Sequence, residues 1–179
     1  MTRYAVLLRG INVGRAKRIA MADLRARLGE AGFEDVATLL NSGNVVLSSS
    51  SSAAKVGPAV EKVIQDELGV ESAAVVRTAD EIRAVVALDP LGDVADDGSR
   101  YVVAFMASKP GKELEELLGS VDAGEDRYAV HGRELFVWCP KGQMDSPLMT
   151  AFGKAKGGPV TTARNWNTVQ KLADLLGTP

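Results

Sequence analysis

The 179-residue chain contains a single cysteine, Cys139, and a single histidine, His131. One of each excludes an internal disulfide, a zinc cluster of cysteines and histidines, and a catalytic site that needs several imidazoles. Aromatic residues are scarce at 5%, and no strand carries the aromatic motif on which RNA-binding sheets stack bases, so nucleic acid is not the expected partner. Long apolar runs are missing as well. The longest, Tyr4 to Leu8 and Tyr101 to Ala107, fall far short of the ~20 residues that span a bilayer, and neither has a signal-peptide layout. No membrane association is expected, and the expected location is cytoplasmic. The acids form no paired-carboxylate or metal-ligand spacing, and Cys139 has no basic neighbour to activate it. No catalytic residue, metal or cofactor is therefore expected, and the balance leans away from an enzyme.

What is present looks like an ordinary globular chain, 46% hydrophobic and 25% charged. The net charge of −2 hides an uneven distribution. Residues 1 to 22 hold Arg3, Arg9, Arg15, Lys17 and Arg18 with no acid, whereas residues 89 to 126 hold ten acids against Arg100, Lys109 and Lys112. Residues 140 to 173 are basic again, with Lys141, Lys154, Lys156, Arg164 and Lys171 against Asp145. If the two ends meet, they make a basic patch on an acidic protein.

Apolar periodicity predicts a strand at Tyr4–Leu8 and a helix marked by Met21, Leu24 and Leu28, which Gly32 ends. A hairpin follows, Val36–Leu40 and Asn44–Leu47 about the turn "NSG". Next come a helix with Val60, Val63, Ile64 and Leu68 on one face and a strand at Ala73–Arg77. Pro58 is expected in the first turn of that helix, where a missing N–H costs little. The order is βαββαβ, the ferredoxin-like arrangement. The second half repeats it: strand Tyr101–Ala107, helix Glu113–Leu118, hairpin Tyr128–Val130 and Glu134–Trp138 about "HGR", helix Pro147–Lys154, strand Val160–Arg164. Each half ends in an extra helix, and the two ends align. "RTADEIRAVVAL" from Arg77 matches "RNWNTVQKLADL" from Arg164, with Thr78 and Asn165 both suited to cap a helix. The expected fold is thus α+β, a duplicated ferredoxin-like unit with antiparallel sheets. The first repeat and its helix cover residues 1 to 88, a linker 89 to 99, and the second repeat with the C-terminal helix 100 to 179. "YAVLL" and "YVVAFMA" are apolar at consecutive positions, so their sheets are expected to be covered on both faces, by each other or by a homodimer partner.

Three polar motifs interrupt this apolar scaffold. "RGINVGRAKR" lacks the GK[ST] ending of a P-loop, and its glycines, Gly10 and Gly14, do not match GxGxxG. Its generic offer is flexible backbone, cations and a helix start just downstream, all of which favour an anion. Arg9, at the end of a central strand, has the donor fork that binds carboxylate or phosphate, or it pairs with an acid of the chain itself. Asn12 either joins that site or caps a turn. "SGN", Ser42 to Asn44, is a hairpin turn whose donors sit at a sheet rim. "RNWNT" supplies Arg164, Asn165, Asn167 and Thr168 around Trp166, an indole that either stacks a ligand ring or packs into the core. His131 reads as a turn residue and Cys139 as an inert thiol.

The stretches "LLRGINVG", "MADLRARLGEAGFEDVATLLNSGNVVLSS", "VVRT" and "TTARNWNTVQKL" resemble the bacterial family of proteins with the domain of unknown function numbered sixteen ninety-seven. The resemblance covers nearly the whole chain and implies a cytosolic, duplicated ferredoxin-like protein, with no activity attached. Its motif positions here are Arg9, Gly10, Asn12, Gly14, Met21, Leu24, Gly32, Phe33, Ser42, Gly43, Asn44 and Arg164 to Thr168. Glycine is usual in the family at the place of Arg15, which is therefore not carried over to a shared site, and an aromatic and glutamine at those of Leu39 and Asn41. Two main readings stand open. In the first, Arg9, Asn12, Ser42, Asn44, Arg164, Asn165, Asn167 and Thr168 form a non-catalytic pocket for a small phosphate- or carboxylate-bearing ligand. In the second, the same groups only cap turns and join the two halves. Nucleic-acid binding is the remaining alternative.

Overall fold

The computed structural model describes residues 1–14 and 18–177. Arg15 and Lys17 of the basic loop lie outside the described residues. The elements run β1 (Thr2–Arg9), α1 (Met21–Glu30), β2 (Glu34–Leu39), β3 (Asn44–Ser49), α2 (Ala53–Leu68), β4 (Ala73–Thr78), α3 (Ala79–Leu88), β5 (Tyr101–Met106), α4 (Lys112–Ser120), β6 (Arg127–His131), β7 (Glu134–Trp138), α5 (Pro147–Lys154), β8 (Thr161–Asn165) and α6 (Trp166–Leu176). The chain forms two compact units, residues 1–86 with those from 171 onward, and residues 87–170.

The first sheet has the order β2-β3-β1-β4 and the second β6-β7-β5-β8. All pairings are antiparallel. Each half is therefore a βαββαβ unit followed by one more helix, as the element order in the sequence predicts. Strand register makes the duplication exact at the level of single residues. Arg77 lies opposite Ala5 on the central strand β1, and Arg164 lies opposite Val103 on the central strand β5. The amide of Leu8 donates to the carbonyl of Gly43 at 2.8 Å, and the amide of Met106 donates to that of Arg133 at 2.9 Å. The matching of Arg77 with Arg164 and of Thr78 with Asn165 is thus a structural equivalence.

In the first unit Tyr4, Val6 and Leu8 pack with Leu24 and Leu28 of α1 and with Val56, Val60 and Ile64 of α2. In the second, Val102, Ala104 and Met106 pack with Leu118 of α4 and Leu148 of α5. The alternate residues Ala5, Leu7, Val103 and Phe105 are fully buried too. Burial on both faces explains why neither central strand shows the alternation of a half-wet sheet.

Helix ends follow the predicted chemistry, with one exception. After α1, Gly32 takes φ +92° and the amide of Phe33 returns to the carbonyl of Leu28 at 3.1 Å, which lets the Phe33 ring pack on the core. At α3, Thr78 Oγ1 accepts from the amide of Glu81 (3.1 Å) while Glu81 Oε2 accepts from the amide of Thr78 (2.8 Å), a reciprocal cap. At α6, Asn165 Oδ1 accepts from the amide of Thr168 at 2.9 Å. Pro58 departs from expectation. The helix begins at Ala53, directly after the serine run, so Pro58 lies inside it rather than in its first turn. The apolar face made by Val56 and Val60 carries the helix through the missing N–H, and local turn chemistry does not decide its start.

The caps lend themselves to a direct check. Thr78→Ala and Asn165→Ala are expected to lower stability by about 1 kcal/mol each in urea denaturation, with unchanged m-values.

Candidate functional site

The first polar motif is a structural lock. Asn12 sits in the left-handed region at φ +53°, and its side chain makes three hydrogen bonds. Nδ2 donates to the carbonyls of Ile19 (3.1 Å) and Asn41 (2.6 Å), and Oδ1 accepts from the amide of Ile19 at 2.7 Å. One amide thus closes the loop between β1 and α1 and ties it to the turn between β2 and β3. The same two segments interlock sterically. A Cβ on Gly43, which has φ +87°, would lie 2.8 Å from both Leu8 Cβ and Ile11 Cδ1, so the buried Ile11 occupies room that only glycine leaves. Asn44, fully buried, donates through Nδ2 to the carbonyl of Leu39 (2.8 Å) and to Ser42 Oγ (3.0 Å), which shapes the turn.

Behind this lock the surface opens into a cleft of about 470 Å³ lined by Asn12, Arg18, Ile19, Ala20 and Asn41. Ala20, the residue before α1, offers no side-chain cap, so the first amides of the helix receive no acceptor from the N-cap position. Arg18 is exposed and spends only Nε, on the carbonyl of Gly14 at 3.4 Å. Arg9, three residues before Asn12, is exposed at the end of β1, and among the described residues no hydrogen bond or ion pair engages its guanidinium. A second groove, about 390 Å³, runs between α1 and α2 over Phe33 and Val63, but its cations are already paired: Arg27 with Glu30 at 2.8 Å and Lys62 with Asp66.

The third motif belongs to the second unit and is absorbed by the fold there. Trp166 is buried and stacks on Tyr101 with ring centroids 4.7 Å apart, so the indole is a core residue with no face free for a base. Arg164 is 9% exposed and donates through Nη1 to Thr162 Oγ1 (2.6 Å) and to the carbonyl of Ala163 (2.8 Å). Burial pulls its pKa down to about 10, still far above neutrality, so it stays charged. Its counterpart Arg77 is 1% exposed and likewise donates to the carbonyl of the preceding residue, Val76. Thr168 Oγ1 donates to Asn165 Oδ1, and Asn167 lies against Gly98 so closely that a side chain on Gly98 would strike it.

Of the eight residues singled out in the sequence, Arg9, Asn12, Ser42 and Asn44 thus lie in the first unit. Arg164, Asn165, Asn167 and Thr168 lie in the second. The structure brings the loop and the hairpin turn together through Asn12, and it adds Arg18 and Asn41 to the candidate group. Sequence reading does not single out Arg18 as a site residue, because only the bond between Asn12 and Ile19 reveals that the loop folds back beside it.

Cys139 is fully buried, and burial pushes its thiol up to about 11. His131 is exposed at the end of β6. Among the described residues no group of three or more His, Cys, Asp or Glu could hold a metal, and no helix is long and apolar enough to cross a membrane.

The fold defines a class, α+β proteins made of two ferredoxin-like repeats, each with an appended helix. A solved structure described as a conserved bacterial protein from Streptococcus pneumoniae shares it, with a TM-score of 0.81, 23% identity and 98% of each chain covered. The chain belongs to the family described as protein of unknown function (DUF1697), whose model matches residues 1–136. No curated protein matches it.

Two expectations follow from this geometry. Asn12→Ala removes three hydrogen bonds and leaves alanine in a left-handed conformation, and Gly43→Ala forces a methyl into Leu8 and Ile11. Each should cost about 3 kcal/mol in chemical denaturation. The Cys139 thiol should ignore a thiol reagent at pH 8 in the folded protein and react fully, one equivalent per chain, once denaturant is added.

Proposed function

We propose that the protein is a non-catalytic binding module for a small phosphate- or carboxylate-bearing ligand, held in the cleft behind the Asn12 lock. The observation that carries this reading is the comparison of the two repeats. Gly43 of the first unit corresponds to Arg133 of the second by their shared hydrogen bond to the central strand. An arginine there cannot leave the room that Ile11 takes over Gly43. A βαββαβ unit therefore folds without the lock, and the first unit carries an addition to a scaffold that does not require it. What that addition builds is a wall with an exposed guanidinium at Arg18 and an uncapped helix start. Both favour an anion.

A second reading is supported by the saturation of Asn12, Asn44 and Asn165 within the fold. On that reading the motifs are purely structural and the cleft is empty surface.

Thermal-shift titration with inorganic phosphate, acetate and nucleotides separates the two. A ligand at 100 times its Kd should stabilise the protein by about 2.7 kcal/mol, on the order of 5 to 10 °C in Tm for a chain of this size. Arg18→Ala should abolish that shift with little effect on the unliganded Tm. Arg164→Ala should lower the unliganded Tm and keep the shift, because its guanidinium serves the core of the other unit. If no anion moves the wild-type Tm, the binding reading fails and the structural one stands.

A further inference from the structure

Each sheet has two edge strands, β2 and β4 in the first and β6 and β8 in the second. An edge strand offers unpaired amides and carbonyls to any strand that comes alongside, and folded proteins block that offer. Three of these four edges carry a block. Along β4 the amide of Ala74 donates to Glu61 Oε1 (2.7 Å), the carbonyl of Val76 accepts from Arg77 Nη1 (2.9 Å), and the amide of Thr78 donates to Glu81 Oε2 (2.8 Å). Along β8 the carbonyl of Ala163 accepts from Arg164 Nη1 at 2.8 Å, the same device at the matching place. β2 shifts register between Glu34 and Ala37, with Asp35 at φ +49°, and such a bulge breaks the regular row of groups that a partner strand needs.

β6 has none of these. Its ladder with β7 runs without a shift from Arg127 to His131, and among the described residues no side chain engages the backbone of Tyr128, Ala129 or Val130. The two-residue turn of Gly132, at φ +59°, and Arg133 closes the hairpin on the pair His131 and Glu134, which in such a turn is hydrogen-bonded. Backbone direction alternates along a strand, so Tyr128 and Val130 turn their amides and carbonyls away from β7. Residues 128 to 130 are half-buried and Arg127 and His131 are exposed, so this edge is open to water.

We propose that β6 is an interface at which two copies of this chain pair edge to edge, antiparallel about a two-fold axis through Ala129. In that register the strand is complementary to itself. Tyr128 of one copy falls opposite Val130 of the other, so the outward-facing residues exchange amide-to-carbonyl hydrogen bonds while an aromatic ring meets a β-branched side chain, a favourable cross-strand pair. On the other face Arg127 falls opposite His131, and Ala129 meets its own copy with little bulk to hold the strands apart. Any extended peptide could bond to the same backbone groups, but a second copy brings the side-chain match by symmetry. The interface belongs to the second unit and does not depend on the anion cleft.

The test is sedimentation equilibrium of the full chain over a wide concentration range, on wild type, His131→Lys, His131→Glu and Val130→Pro, with urea denaturation of each variant to establish that it folds. The weight-average mass should rise from monomer to dimer with concentration and stop there, because a two-fold pair closes on itself. His131→Lys sets an ammonium against Arg127 and should weaken the dimer, whereas His131→Glu should strengthen it, each by roughly twofold to tenfold in Kd. Neither should change the stability of the monomer, because the side chain is exposed. Val130→Pro removes an outward N–H and should leave a folded monomer; if that variant does not fold, the two His131 variants decide alone. A wild type that stays monomeric at every concentration overturns the proposal. So does growth beyond the dimer, or a dimer indifferent to both His131 substitutions, whose interface would then lie elsewhere.

Discussion

Each unit is organised by one central strand whose side chains are withdrawn from water on both faces. From Tyr4 to Leu8 in the first unit and from Tyr101 to Met106 in the second, every residue is buried, and each strand donates and accepts along both edges. Such a strand tolerates no unpartnered polar side chain along its length, because a polar group there would lose its water without compensation; the hydroxyls of Tyr4 and Tyr101, at the strand starts, are both hydrogen-bonded. Polar chemistry is pushed to its end and to the loop that follows. Arg9 is the first residue of β1 past the buried run, and the Asn12 loop comes next.

The duplication provides an internal control on which features the fold needs. Arg77 and Arg164, the reciprocal caps at Thr78 and the Asn165 cap recur at matching places, so they belong to the scaffold. The Asn12 lock and Gly43 do not recur. Arg133 stands where Gly43 would be, and the loop after β5 reads "ASKPG" with no asparagine to fold it back. Two copies of one architecture have diverged at the same corner, and in the first copy that corner carries an open cleft with Arg18 in its lining.

Much of the architecture could be read from the chain because its signals are short in range. Apolar runs, helix periodicity, the Gly32 stop and the "TADE" cap each act over a few residues, and each appears where the sequence places it. Pro58 was misplaced because a start signal read from one residue competes with tertiary burial of Val56 and Val60, and burial prevails. The polar motifs were harder. The same amide can hold a ligand or a backbone carbonyl, and residue type does not distinguish the two. Trp166 illustrates this: the indole that looked available for stacking spends its face on Tyr101, a partner 65 residues away in the chain.

By itself the sequence determined the element order, the duplication and its alignment, and the family. All of these depend on periodicity, composition and local hydrogen bonding, which a linear chain displays. Only the tertiary structure decided which polar residues remain for a partner. Asn12, Asn44, Asn165 and Arg164 are consumed by carbonyls, amides and hydroxyls of the fold, while Arg9 and Arg18 keep donors facing water. That division depends on which distant atoms come within about 3 Å of each side chain, the range over which a hydrogen bond forms.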